Sequence, residues 1–226
     1  MNIIIISNGQ FPSQPKVLEL LEQADYIVCC DGALGKFLNW YRTGAAFSPL
    51  HFAVVGDGDS SLPVHLQEAR QLFPQLQQVT ISEQEDNDLT KAVRYVIEAG
   101  RGDGVADRAM HIAIIGATGL REDHTLGNIS LLAYYGELYP DIDFTLYTDT
   151  GIIYPVRGRR RFDSVAGQQV SIFSLTPGTP VSVEGLHYPI HDRCLRWAWE
   201  GTLNEALGDS FEVRGGVLLV YLLNSE

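Results

Sequence analysis

Six short strand-like runs, with helix-period segments between them, occupy the first 150 residues, and no other feature constrains the fold as much. Ile3 to Ser7 opens as a continuous β-branched run. Tyr26–Cys30, Phe52–Val55, Gln78–Ile81, His111–Ile115 and Phe144–Tyr147 follow. Between them, Gln14–Gln23 carries Val17, Leu18, Leu20 and Leu21 in helical register, and Leu34–Tyr41 reads as a second helix. Pro63 suits the first turn of a third helix, where a missing N–H costs nothing, with Ser60 or Ser61 as its cap. Asn87–Ala99 is amphipathic, with Leu89, Ala92, Val93, Val96 and Ile97 on one face. A fifth helix is expected over His124–Leu138. Strands without alternation that take turns with helices predict an open parallel sheet covered on both faces, with right-handed crossovers.

The pattern changes near residue 150. Beyond it come short runs of alternating polarity, at 152–156, 169–174, 180–184, 195–199 and 210–223, punctuated by Gly and Pro. The expectation is an α/β domain over residues 1–150 and an antiparallel β-sandwich over 151–226.

In an open parallel sheet, ligands sit beyond the carboxyl ends of the strands. Several of those ends are acidic here. The second run leads into Asp31, and the third into Gly56-Asp57-Gly58-Asp59. The fourth leads into Glu83, Glu85, Asp86 and Asp88, and the fifth into Gly116-Ala117-Thr118-Gly119-Leu120-Arg121-Glu122-Asp123-His124. Carboxylates crowded on one rim repel each other unless cations sit among them, and magnesium with a polyphosphate meets that need. Lys91 and Arg121 would complete the neutralisation, and the Gly116–Gly119 loop offers backbone N–H groups to an anion.

Each residue also has a plainer role. Asp59, Asp86 or Asn87 would serve as helix caps, and Asp88 with Lys91 as a surface pair. His124 is either a general base or a structural histidine. The run Arg157-Gly158-Arg159-Arg160-Arg161 is expected at a solvated hairpin turn. Most of Tyr188, Trp197, Trp199 and Tyr221 are expected in the core or on the sheet surface, and one of them would suit stacking on a flat cationic ring.

A net charge of −12 argues against nucleic acid or an anionic membrane as partner. Three cysteines, two of them adjacent, give no disulfide framework and fit a cytoplasmic setting. The first residues carry no secretory signal, and their apolar run is too short to span a bilayer.

The chain resembles the thiamine pyrophosphokinase family. The resemblance rests on Asp31-Gly32-Ala33, on Gly56-Asp57-Gly58-Asp59-Ser60 and on Asn87-Asp88-Leu89-Thr90-Lys91-Ala92. It also rests on the long segment Gly116 to Asn128 and on Gly185-Leu186-His187-Tyr188-Pro189. It implies a Rossmann-like nucleotide-binding domain followed by a β-sandwich that binds thiamine. It further implies a homodimer with the thiamine site at the interface, and magnesium-dependent transfer of pyrophosphate from ATP to the thiamine hydroxyl, leaving AMP. Carried over, Asp57, Asp59 and Asp88 would be magnesium ligands, with Asp31 on the nucleotide side. Lys91 and Arg121 would be phosphate contacts, with Gly116, Thr118 and Gly119 in the phosphate-binding loop. Asp123 would lie near the thiamine hydroxyl as a proton acceptor. The family's Ser-Asn-Glu segment lines thiamine; here it reads Leu203-Asn204-Glu205, so Asn204 keeps the family residue and Leu203 replaces the serine. Asn87 likewise stands where the family often has Thr. Other roles for the same carboxylates are nucleotide pyrophosphatase chemistry with water as nucleophile, or nucleotide sensing without turnover.

Overall fold

Side chains buried on both faces of a parallel sheet organise the first part of the chain. The computed structural model describes residues 1–45, 47–58 and 63–224. They divide into two units, and the boundary passes through a helix and a strand. The first unit is Met1–Leu131 with Asp141–Asp143 and Tyr147–Asp149; the second is Leu132–Pro140, Phe144–Leu146 and Thr150–Glu226.

In the first unit, strands β1 (Asn2–Ile6), β2 (Tyr26–Cys30), β3 (His51–Gly56), β4 (Gln77–Thr80) and β5 (His111–Ile115) are all parallel, in the spatial order β5-β1-β2-β3-β4. The helices are α1 (Pro15–Glu22), α2 (Leu34–Tyr41), α3 (Pro63–Leu72), α4 (Asp88–Gly102) and α5 (Glu122–Leu138). Strand alternation sends Ile4, Ile6, Ile27, Cys29, Phe52 and Val54 to one face, against α1, α2 and α3. The intervening residues face α4, which packs on β1, β2 and β3 with Leu89, Ala92, Val93, Val96 and Ile97 buried. The expected helices on both faces are present. β4 is mostly exposed and ends the sheet. The expected α3 cap at Ser60 or Ser61 lies outside the described residues. Asn87 does cap α4, its Oδ1 accepting from Thr90 N at 2.9 Å.

Phe37 anchors the face beneath α2. It is fully buried, with ring centroids 5.1 Å from Phe52 and 5.8 Å from Phe73. Phe37→Ala is expected to destabilise the first unit by about 3–5 kcal/mol, the usual cost of emptying an aromatic core site. Urea unfolding followed by tryptophan fluorescence measures it.

In the second unit, β6 (Asp143–Tyr147) contributes its central residues beside β7 (Gly151–Asp163). β8 (Gln169–Ser174), β9 (Val181–Glu184), β10 (Ile190–Arg193), β11 (Asn204–Glu205) and β12 (Ser210–Leu223) complete it. β12 runs antiparallel to β7 along its whole length. Its other edge is shared between β9, at Glu212–Arg214, and β8, at Leu218–Leu222. Between these stretches the register shifts at Gly215–Val217, opposite Gly158 with φ +75°. The shift marks a β-bulge, and across it β12 exchanges one neighbour, β9, for another, β8. Val170, Ile172, Val181, Val183, Val213 and Val220 fill the core of this unit.

Two sequence expectations fail here. The arginine run is not a turn but the middle of β7. Arg157, Arg159 and Arg161 alternate outward there, and Arg159 Nε donates to Glu212 Oε1 at 2.7 Å. Arg160 is instead held over the rings of Tyr154 and Phe162, 5.0 Å from each centroid. The paired strand β12 explains this: it continues the ladder through the run, and its Glu212 and Ser210 meet Arg159 and Arg161. Residues 195–199 are not a strand either. Glu200 accepts the backbone N–H groups of Arg196 and Trp197, which closes a 3₁₀ turn over Ala198–Gly201 and leaves Trp197 and Trp199 exposed.

Candidate active site

Parallel strands bring the ends of β1, β2, β3 and β5 to one rim, and within the first unit that rim holds a cavity of about 370 Å³. Ser7, Asn8 and Gly9 from the end of β1 form one wall, with Cys30 at the end of β2. Asn87, Asp88 and Leu89 at the start of α4 form another. Ala117, Gly119, Leu120 and Arg121 with His124 and Asn128 complete it. The loop after β5 is shaped by its backbone: Gly116, Gly119 and Leu120 have φ of 64°, 77° and 68°. The buried Asn128 side chain fixes it by donating Nδ2 to Ala117 O at 2.7 Å.

Pairing continues past β1 and β5. Ser7 N donates to Ile115 O at 2.9 Å, Gly9 N to Gly116 O at 2.6 Å, and Gln10 N to Thr118 O at 2.8 Å. The carbonyls of Gly116 and Thr118 therefore hold the β1 loop, while Gly119 and Arg121 line the cavity.

Three carboxylates gather around Gly56. A Cβ there would lie 2.5 Å from Asp31 Cβ and 3.4 Å from Asp88 Cγ, so any larger residue would collide with Asp31 and touch Asp88. Asp31 is 2% exposed and Lys91 equally buried. Lys91 Nζ stands 3.6 Å from Asp88 Oδ1. Asp57 accepts from Gln84 Nε2 at 3.3 Å. Burial pushes the Asp88 carboxyl above its ordinary range; Lys91 opposes this, and the charges of Asp57 and Asp31 add to it.

All the donors in this cluster are hard oxygens, so it fits a magnesium ion better than a soft metal. Among the described residues no group of three or more His, Cys, Asp or Glu side chains is already arranged to hold a metal. Asp59, the remaining predicted ligand, lies outside the described residues.

The other acidic residues of the rim are used differently. Glu83 pairs with Arg94, which also reaches Asp86 at 3.0 Å. For Glu83 and Asp86, the repulsion expected at the fourth strand end is therefore relieved by an arginine on α4. Arg121 and Asp123 are paired with each other, at 3.1 Å and 2.6 Å. Asp123 Oδ1 also accepts from His124 N at 2.9 Å. The Arg121 guanidinium, with that backbone N–H, holds the Asp123 carboxyl down to about 2.

Sequence reasoning missed Ser7, Asn8 and Gly9. The signal was there, a polar glycine turn at a strand end, but it carries no charge.

In the second unit, Asn204 is 4% exposed and its side chain is occupied by backbone. Oδ1 accepts from Tyr188 N at 3.0 Å and Glu205 N at 2.9 Å, and Nδ2 donates to Tyr188 O at 2.7 Å. Asn204 clips the segment that presents Tyr188, beside Leu203 in a left-handed conformation with φ 58°. Asn204→Ala is expected to lower stability by about 1–3 kcal/mol, since it orphans buried backbone groups. A thermal melt checks this.

Among the described residues no helix is long and apolar enough to cross a membrane. A family model described as thiamin pyrophosphokinase, catalytic domain, matches residues 17–145, and one described as thiamin pyrophosphokinase, substrate-binding domain, matches residues 151–221. A search of curated proteins found no match. Among solved structures, the chain is similar to thiamin pyrophosphokinase from Candida albicans, with TM-score 0.80, 16% identity, and 99% of this chain and 90% of that one covered. It is similar to thiamine pyrophosphokinase from Bacillus subtilis, with TM-score 0.76, 20% identity and 99% of each chain covered. It is also similar to yeast thiamin pyrophosphokinase, with TM-score 0.78, 14% identity, and 98% and 85% covered. At these identities the likeness to solved structures establishes the fold.

Proposed function

The chain belongs to the thiamin pyrophosphokinase family, and on that premise we propose that it transfers the pyrophosphoryl group of ATP to the hydroxyl of thiamine, giving thiamine pyrophosphate and AMP. The observation that carries this chemistry is the grouping of Asp31, Asp57 and Asp88 with a buried lysine beside the rim cavity. Residues 1–150 would then form the nucleotide domain and 151–226 the thiamine-binding domain. Asp57, Asp59 and Asp88 would hold magnesium, which when bound neutralises charge on the phosphate oxygens.

The chain's own groups do the rest. The thiamine hydroxyl forms a bond to the β-phosphorus as the bond to the α–β bridging oxygen breaks, and AMP departs with that oxygen. Little covalent work falls to the protein, which aligns the two oxygens and stabilises charge on the phosphoryl group. Lys91 and Arg121 supply positive charge, and Gly116, Thr118 and Gly119 shape the loop beside it. Asp31 braces the nucleotide side through the β3 turn. Asp123 is the acceptor for the hydroxyl proton. Held at about 2 by Arg121, it is a weak base, so Arg121 must turn to phosphate before Asp123 can act. Asn204 orders the Tyr188 segment that receives thiamine.

Incubation with ATP and Mg²⁺, with and without thiamine, tests the proposal through the yields of AMP and thiamine pyrophosphate. Both products are expected only with thiamine, and chelation by EDTA should abolish both. Equal AMP without thiamine would make the chain a nucleotide pyrophosphatase, and no AMP at all a sensor; the family match favours neither.

We also propose a homodimer with the thiamine site at the interface, supported by the exposed Tyr188, Trp197, Trp199 and Leu203. Light scattering should give twice the 25.0 kDa chain mass; a monomer would refute it. A cytoplasmic setting is supported by free thiols at Cys29, Cys30 and Cys194. Fractionation of cells carrying the tagged chain checks it.

A further inference from the structure

The segment that follows β1 is gripped by a residue outside every motif named so far. Lys36 lies in the first turn of α2, and its Nζ donates to Asn8 O at 2.7 Å and to Gly9 O at 2.7 Å. A cation at a helix start opposes the helix dipole. Burial also lowers the pKa of this ammonium. Both effects disfavour a charge at this place, and the two carbonyl contacts offset them.

The gripped segment is tightly fitted on its other sides as well. A Cβ on Gly32 would stand 2.2 Å from Asn8 Nδ2, so the Asn8 side chain lies directly on the backbone after β2. A Cβ on Gly9 would stand 2.5 Å from Gly116 O and 2.6 Å from Thr118 O. Asn8 and Gly9 are thus wedged between two loops of the rim while lining the cavity. Backbone hydrogen bonds to the β5 loop hold one side, and Lys36 holds the other.

We propose that Lys36 is a positioning residue for the nucleotide: it fixes the Asn8–Gly9 segment as a wall of the cavity and acts on ATP through that backbone. This rests on the rim cavity being the ATP site. Lys36 itself is absent from the cavity wall, so its effect is on the shape of the site.

Calorimetric titration of Mg-ATP into the parent chain, Lys36→Met and Lys36→Arg, without thiamine, tests the proposal alongside steady-state kinetics. Lys36→Met should weaken ATP binding about tenfold, the worth of one well-placed charged hydrogen bond. KM for ATP should rise in step, with kcat and KM for thiamine within about twofold. Lys36→Arg keeps two donors and should recover binding to within about threefold of the parent. If Lys36→Met does not fold, Lys36→Gln takes its place, with the same expected rise in KM for ATP. Unchanged ATP affinity in the neutral variant overturns the proposal. So does a fall in kcat with KM for ATP unmoved, because that pattern belongs to general loss of structure or of chemistry. A parent chain that does not bind ATP would instead remove the nucleotide site on which the proposal rests.

Discussion

Asp88→Asn is expected to lose at least about 100-fold in kcat/KM for thiamine pyrophosphate formation, the scale of removing one group that organises transition-state charge. The chain should nevertheless fold at least as stably as the parent at neutral pH in the presence of a chelator. The sign follows from the carboxyl's environment. Burial raises the Asp88 pKa, with Asp57 and Asp31 adding to the rise against the pull of Lys91. A carboxyl raised in the folded state penalises folding at pH above its folded pKa, and the penalty fades as pH falls towards the ordinary value of 3.8. Asparagine removes the charge, and with it the penalty. The stability advantage of Asp88→Asn should therefore be present at pH 7 and shrink on acidification. Rates measured against Mg²⁺ concentration, with chemical denaturation at several pH values, test both halves. A variant that keeps near-parent activity, or unfolds at pH 7, would overturn the assignment of Asp88 as a ligand tolerated at a cost in stability. Asp57→Asn should show the same loss of activity.

Lys91→Met is expected to lose activity on a similar scale, about 100-fold, by a different route. Lys91 is 2% exposed, and its ammonium is the positive charge nearest Asp88, at 3.6 Å. Without it, Asp88 loses its ion-pair partner. Magnesium should then bind no more weakly than in the parent, since a competing cation has gone. The rate at saturating magnesium should fall all the same, because a compensating charge beside the phosphates is missing. Asp88→Asn should raise the half-saturating Mg²⁺ concentration, and Lys91→Met should not. Stability should also move the opposite way. Lys91→Met leaves Asp88 with less compensation and should be less stable than the parent at pH 7, with the deficit narrowing as pH falls and Asp88 protonates. Magnesium dependence and pH-dependent unfolding of the two variants, measured side by side, separate a ligand from a counter-charge. A raised half-saturating Mg²⁺ concentration in Lys91→Met would contradict the distinction.

Much of the fold was legible because burial leaves a local record. Ile3–Ile6 and Tyr26–Cys30 are apolar without alternation because both faces of their sheet are covered. The periodicity of Leu89, Val93 and Val96 marks α4 because one side of that helix meets the sheet. Asp88 and Lys91 were legible for a related reason. Both stand in the first turn of that helix, and the strand before it ends on the rim.

Misread features turned on side-chain contacts that strand and helix periodicity does not record. The arginine run resembles a turn until β12 is set beside it and Glu212 meets Arg159, while Arg160 lies over two rings of its own strand. Residues 195–199 have the alternation of a strand, but the Glu200 side chain closes a turn over them. Glu83 and Asp86 suggested a metal until Arg94 came round α4 to meet both.

The sequence by itself determined the two kinds of secondary-structure pattern, the point near residue 150 where one yields to the other, and the strand ends at which carboxylates stand. These are properties of neighbours along the chain, set by side-chain period and backbone propensity. Only the tertiary structure decided which carboxylates are compensated and which share one pocket of space. It brought Asp31 and Asp88 together against Gly56, paired Arg121 with Asp123, and turned Lys36 onto the segment after β1. Electrostatic energy depends on distance through space and on burial, and neither is written in the spacing of residues along a chain.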